Sequence, residues 1–185
     1  MNKIIAVVGM CGAGKSVVCE HLESLGYKKI YFGGVTLDIL KEEGLEINPE
    51  NEKVVRERLR KEHGMAAYAI FLLPKIRELS KDNNVVLDGL YSWDELMVLQ
   101  KEFSNIKVIS VITDKSIRYD RLAKREVRPL TNEEANKRDI AEIENLAKGG
   151  PICYADYFVL NNNSREDTIK RVNEILNILE GDNIE

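Results

Sequence analysis

Ile4-Ile5-Ala6-Val7-Val8-Gly9-Met10-Cys11-Gly12-Ala13-Gly14-Lys15-Ser16 is the stretch on which the reading of the fold turns. Its first five residues are apolar without alternation, the pattern of a strand covered on both faces. The next eight satisfy G-x-x-x-x-G-K-[ST], and helical spacing follows over residues 15–25. Strand, loop and helix in that order are the setting a phosphate-binding loop needs. Glycines let the backbone wrap tightly enough to aim successive N–H groups at an anion, and the helix adds its positive end. The candidate contacts to a nucleoside triphosphate are Gly9, Gly12, Ala13, Gly14, Lys15, Ser16 and Val17. Lys15 reaches the β- and γ-phosphates, and the Ser16 hydroxyl ligates Mg²⁺. Cys11 reads as a small loop residue.

Outward from this loop, four more short apolar runs lie at residues 29–32, 85–87, 108–112 and 157–160. Helical spacing covers 36–43, 50–61, 65–80, 93–103, 116–124, 132–147 and 165–179. Ser92 with Glu95, Thr131 with Glu134 and Ser164 with Asp167 have capping-box spacing, while Gly26 and Gly44 stand where helices stop. Strands alternating with helices give right-handed βαβ crossovers and a parallel sheet. The expected architecture is an α/β three-layer sandwich, five parallel strands in the order 2-3-1-4-5 with helices on both faces. The 185 residues read as one domain, with a helical insert at 36–80 and a charged, lid-like segment at about 125–150.

The third run ends in Asp88-Gly89. An acid at the carboxyl end of a strand beside the loop can hold Mg²⁺ through water or steer a substrate hydroxyl; Asp-Gly is equally a common turn pair.

Composition narrows the class. Hydrophobic residues make up 44% and charged residues 31%, as in a soluble globular protein, and no apolar run approaches the ~20 residues that span a bilayer. The reading is a cytoplasmic protein without a membrane partner. A net charge of −4 argues against nucleic acid. Cys11, Cys19 and Cys153 have no framework spacing and read as reduced thiols; with His21 and His63 far apart, no Cys/His metal cluster forms from sequence neighbours.

Taken as an ordered series, the motifs resemble the nucleoside monophosphate kinase family of P-loop kinases. They resemble adenylate kinases and, more closely, dephospho-CoA kinase-like nucleotide kinases. The series is GMCGAGKS at 9–16, LRKEHG at 59–64, VVLDGLYSWDEL at 85–96, RLAKR at 121–125, Arg138-Asp139 and ADYFVLNN at 155–162. It spans nearly the whole chain, and the loop is its most specific member. The resemblance implies a P-loop NTPase fold, ATP with Mg²⁺, and a small-molecule phosphoryl acceptor held by the insert. It also implies a lid whose arginines close over the nucleotide, with Arg121 near the ATP base and phosphates and Arg125 at the transferring phosphoryl. Physics agrees, since the transition state spreads negative charge and its catalysis is mostly positioning and cationic stabilisation. Residues 118–138 carry seven Lys/Arg against four acids, and Pro129 interrupts any continuous helix through them. A solvated helical face with pairs such as Glu134–Arg138 is the other reading of this segment, and for Arg128 the two stand level.

Two family arginines that grip the acceptor phosphate are missing, one from residues 33–38 and one after Asp88-Gly89, where Leu90-Tyr91-Ser92 stands. Arg56 and Arg60, four apart on the insert, either replace them or pair at the surface with Glu52 and Glu57. The expected acceptor contacts are Gly34, Thr36, Arg56, Arg60, Asp88 and Tyr91, with Thr36 capping its helix. Trp93 is either core or a stacking platform. No Asn-Lys-x-Asp guanine signature occurs, which favours ATP, and Asn161-Asn162-Asn163 falls where relatives touch adenine through the backbone. Three functions follow: transfer of the γ-phosphoryl to a phosphorylated nucleotide-like acceptor; a nucleotide-binding regulator without transfer; and a kinase of an unphosphorylated metabolite with Asp88 as base. The oligomeric state stays open.

Overall fold

The computed structural model describes residues 2–181. β1 (Ile4–Val8) occupies the centre of an all-parallel sheet ordered β2-β3-β1-β4-β5, as expected. Its neighbours are β3 (Val85–Asp88) and β4 (Ile106–Ile112); β2 (Lys28–Tyr31) and β5 (Tyr157–Leu160) form the edges. Register aligns Val7 with Asp88 and Tyr31 with Asp88, so the acid stands at the carboxyl end of the sheet beside the loop.

Every residue of β1 is buried because its side chains alternate between two cores. Ile4, Ala6 and Val8 pack with Ile30, Leu87 and Val108 beneath α2 (Gly34–Glu42), α3 (Pro49–His63), α4 (Ala67–Asp82) and α5 (Trp93–Glu102). Ile5 and Val7 pack on the other face with Val18 and Leu22 of α1 (Lys15–Ser24) and with Val172, Ile175 and Leu179 of α9 (Arg165–Gly181). That two-sided burial is why the strand reads as an unbroken apolar run.

The capping boxes of α5 and α7 (Asn132–Leu146) form as expected, and Ser164 and Asp167 exchange their bonds at the start of α9. Positive φ at Gly26 and Gly44 ends α1 and α2. Between α6 (Lys115–Ala123) and α7 the chain breaks around Pro129, and Arg128 has φ +53°. One local expectation is corrected, and one element was not anticipated. Thr36 lies inside α2, whose N-cap is Gly33; its hydroxyl is bonded to Tyr68 at 2.5 Å instead of capping the helix. A short helix, α8 (Gly149–Cys153), follows α7 in a stretch to which helical spacing assigned no element. Trp93 holds it, packing where a Cβ on Gly150 would come within 2.8 Å of the ring, and crossing Tyr154 edge-on. Trp93 is therefore a packing residue. Among the described residues no helix is long and apolar enough to cross a membrane.

Candidate active site

The donor loop is shaped by backbone. Gly9, Gly12 and Gly14 all have positive φ, and a Cβ on Gly9 would stand 2.5 Å from the Val111 carbonyl. Gly14 is the N-cap of α1 and the next residue is Lys15, so the helix N-terminus opens onto the loop. Lys15 Nζ donates to the carbonyls of Gly9 (2.9 Å) and Met10 (3.2 Å), spanning the hollow a phosphate would enter. Burial and then the neighbouring Lys148 ammonium push its pKa down to about 8. Ser16 is exposed at the same helix end.

Side chains from distant segments brace this loop. Asn161 donates to the Ala13 carbonyl (2.8 Å), as does the Thr113 hydroxyl (2.9 Å), and Asn161 in turn accepts from Thr168. Arg118 donates to the Cys11 carbonyl (2.8 Å) and forms a two-armed buried pair with Asp139 at 3.0 and 2.5 Å. Asp139 therefore works through Arg118. Its sequence neighbour Arg138 pairs instead with Glu142 at 3.1 Å, while Glu134 is spent on its capping box, so the Glu134–Arg138 pair does not form.

Both arginines of RLAKR face the loop. Arg121 donates one nitrogen to the Asn161 carbonyl (3.0 Å); its other terminal nitrogen is buried without a partner and lies 3.7 Å from where a Cβ on Gly14 would be. Arg125 has a long contact to Cys11 Sγ (3.9 Å) and forms no ion pair among the described residues.

Asp88 is half-buried at the end of β3. Burial raises its pKa, and Lys15 and Lys29 partly offset that. No cluster of three or more His, Cys, Asp and Glu occurs among the described residues. Ser16 and Asp88 nevertheless fit Mg²⁺, which uses few protein ligands and completes its shell with phosphate oxygens and water.

Beside the loop lies a cavity of about 1090 Å³ between the insert and α7. Tyr31, Tyr68 and Tyr91 line it, with Thr36, Gly33 and the guanidinium groups of Arg56, Arg60, Arg128 and Arg138. Gly34 and Asp88 are outside this lining. Three of the four arginines have acids: Glu52 takes Arg56 (3.4 Å) and Arg128 (3.1 Å), and Glu142 takes Arg138. Arg128 holds Glu52 below the usual carboxylate range. Among the described residues Arg60 has no ion pair; it stacks 5.5 Å over the Tyr68 ring and leaves its Nε buried without a partner. Both arginines line the cavity, Arg56 paired there with Glu52 and Arg60 stacked on Tyr68. Tyr31, Tyr68, Arg118, Glu142 and Lys148 have no motif that marks them in sequence; they meet only through the fold.

A parallel 2-3-1-4-5 sheet, a glycine loop on its central strand and a helical insert beside it define a P-loop kinase fold. Residues 5–142 match the AAA_18 family, described as an AAA domain. The UPF0200 protein of Thermococcus kodakarensis is 35% identical over 178 residues, covering 94% of this chain and 96% of that one. The UPF0200 protein of Pyrococcus furiosus is 36% identical over 167 residues, covering 85% and 87%. The chain belongs to the UPF0200 family, within the AAA_18 domain group. Solved structures of similar shape include shikimate kinase from Acinetobacter baumannii in complex with shikimate (TM-score 0.60, 18% identity, 100% of this chain and 97% of that one). Dephospho-CoA kinase from Campylobacter jejuni is another (TM-score 0.55, 19% identity, 95% and 96%). At such identities the likeness is one of fold.

Proposed function

We propose that the protein is an ATP-dependent phosphotransferase that moves the γ-phosphoryl of Mg·ATP to a small, phosphorylated, nucleotide-like acceptor. One observation carries the reading. A phosphate loop with Lys15 at its hollow adjoins a cavity lined by tyrosines, into which Arg60 turns with a buried, unpartnered Nε. Buried cationic donors without partners are costly unless a ligand pairs with them. Aromatic walls suit a base or a similarly flat group.

In this reading Lys15, Arg121 and the backbone N–H groups of residues 12–17 hold the donor phosphates. Arg125, unpaired with any carboxylate among the described residues, meets the charge that develops as the phosphoryl moves. Ser16 and Asp88 would hold Mg²⁺, whose charge would offset that of the phosphates. Arg60, Thr36 and Tyr91 receive the acceptor, Arg56 joins them when the acceptor displaces it from Glu52, and Gly34 lets α2 approach. The acceptor oxygen attacks directly, so no covalent enzyme intermediate is required. Loop 124–131 and α7 act as the lid, and closure excludes the water that would hydrolyse ATP. The kinase-type neighbours support a nucleotide-linked small-molecule reaction, and the site makes no use of a membrane.

A kinase of an unphosphorylated metabolite is the second reading. The pairing of Arg56, Arg128 and Arg138 with acids favours it, since only Arg60 is then left for an anion. Asp88, its pKa raised by burial, would serve there as base. Incubation with γ-labelled ATP, Mg²⁺ and a panel of nucleotides, phosphorylated metabolites and plain alcohols separates the readings. Label in a phosphomonoester acceptor is the expected result; label only in alcohols supports the second reading; ATP binding without any transfer leaves a nucleotide-binding regulator.

A further inference from the structure

Side-chain donors hold the carbonyls along the donor loop. Lys15 takes those of Gly9 and Met10, Asn161 and Thr113 take that of Ala13, and Arg118 takes that of Cys11 at 2.8 Å. The pattern has a physical reason: a carbonyl oxygen turned into the hollow repels a phosphate, whereas an N–H turned into it binds one. In a trans peptide the C=O and the following N–H point opposite ways, so holding a carbonyl fixes the N–H of the next residue. The hold on Cys11 thus fixes the N–H of Gly12, which has no partner among the described residues.

Gly12 is where the loop most needs such a hold. Its φ is +81°, and a glycine there leaves the 11–12 peptide free to turn over at little cost. The hold comes from α6. The Arg118 carbonyl stands 2.9 Å from where a Cβ on Gly12 would be, and Cys11 is buried in a small core with Tyr119, Leu122 and Ala135.

Arg118 is in turn aimed by α7. Arg118 and Asp139 are each 6% exposed, and the Tyr119 hydroxyl donates to the carboxylate at 3.2 Å. One guanidinium nitrogen, Nη1, makes both the bond to Cys11 and one arm of the pair, so the carboxylate sets the direction of the group that reaches the loop. A buried ion pair adds little net stability over apolar residues of the same size, so packing alone does not account for this one.

We propose that Arg118 and Asp139 are positioning residues for the donor phosphates, keeping the Cys11 carbonyl turned out of the hollow and the Gly12 N–H turned into it. Neither touches the nucleotide. The inference rests on the phosphotransferase reading above, from which it takes a nucleotide phosphate as the ligand of the loop.

The test measures Mg·ADP binding by titration calorimetry. The proteins are the wild type and the double variant Arg118→Met/Asp139→Asn, which removes both buried charges at close to native volume and leaves neither unpaired. The double variant should keep a Tm near that of wild type and lose about tenfold or more in affinity, the contribution of one N–H bond to a charged oxygen. Amide resonances of ¹⁵N-labelled protein locate the loss. In wild type those of Gly12, Lys15 and Ser16 should all move with Mg·ADP. In the double variant Gly12 should stay in place while Lys15 and Ser16 still move, a local loss that general loosening of the loop would not give. A folded double variant that binds as wild type does, or in which the three amides lose their movement together, overturns the role of the pair. A wild-type Gly12 amide that Mg·ADP leaves in place overturns it even where the double variant fails to fold. Only a wild type that binds no Mg·ADP reaches further, overturning the phosphotransferase reading and this inference with it.

Discussion

The two halves of the site are built in different ways. The donor half is a contiguous loop whose working parts are backbone N–H groups, held in shape by Gly9, Gly12 and Gly14 and by one lysine. The half proposed to take the acceptor is a cavity whose lining comes from residues as far apart as Tyr31 and Leu146. Its working parts are side chains that meet only after the insert and α7 have packed. A backbone device tolerates few changes, because only certain residues adopt its φ values. A side-chain device can change its ligand by exchanging an arginine for another at a different position. In the proposed reading, that contrast accounts for a chain that keeps the complete loop motif while lacking the arginines the family resemblance led us to expect.

The difference can be broken first on the donor side. Lys15→Ala should lower ATP-dependent turnover by at least about 10³-fold with the fold intact, because the side chain crosses a hollow and does not fill the core. Circular dichroism and a thermal melt alongside the kinetics check both parts; near-normal turnover would remove the loop from the mechanism. Arg125→Ala comes next, with kcat reduced by about 10²- to 10³-fold and ATP affinity moved less than about threefold. Equal loss in both would return Arg125 to an ordinary surface charge.

On the acceptor side Arg60→Ala should raise KM for a phosphorylated acceptor by about tenfold or more, the worth of one charge-assisted hydrogen bond. Steady-state kinetics with the acceptor found by the labelling screen decide it. An unchanged KM would mean that the cavity arginines do not take the place of the missing ones.

The smallest expected effect returns to the loop. With its pKa near 8, Lys15 is protonated below that pH and increasingly neutral above it in the free protein. Bound triphosphate favours the charged form and raises that pKa, so binding above pH 8 must take up a proton. ATP affinity should therefore hold steady from pH 7 to about 8 and fall by up to about tenfold per unit beyond. Calorimetry in buffers of different ionisation enthalpy should register proton uptake at pH 9 and little at pH 7.

Much of the fold was legible because local signals and the global arrangement agree. Ile4–Val8 reads as a doubly covered strand and is one, and Ser92 with Glu95 reads as a capping box and forms it. Thr36 misled because a threonine after two glycines has the spacing of a cap, yet its hydroxyl is bonded to Tyr68, thirty-two residues away. α8 was hidden because Gly149-Gly150-Pro151 has weak helix propensity, and Trp93 supplies the packing that overrides it. The Glu134–Arg138 spacing was right for a helix pair, but Glu134 had a better use at the N-cap.

By itself the sequence determined the sheet order, the central strand and the phosphate loop, since each depends on residues adjacent in the chain and on steric rules that act locally. Only the tertiary structure decided that Arg56 is taken by Glu52 while Arg60 stacks on Tyr68, that Asp139 holds Arg118 against the Cys11 carbonyl, and that Lys148 is buried beside Tyr91. Those outcomes depend on which acid reaches each cation first in a low-dielectric interior. Spacing along the chain carries no record of that competition.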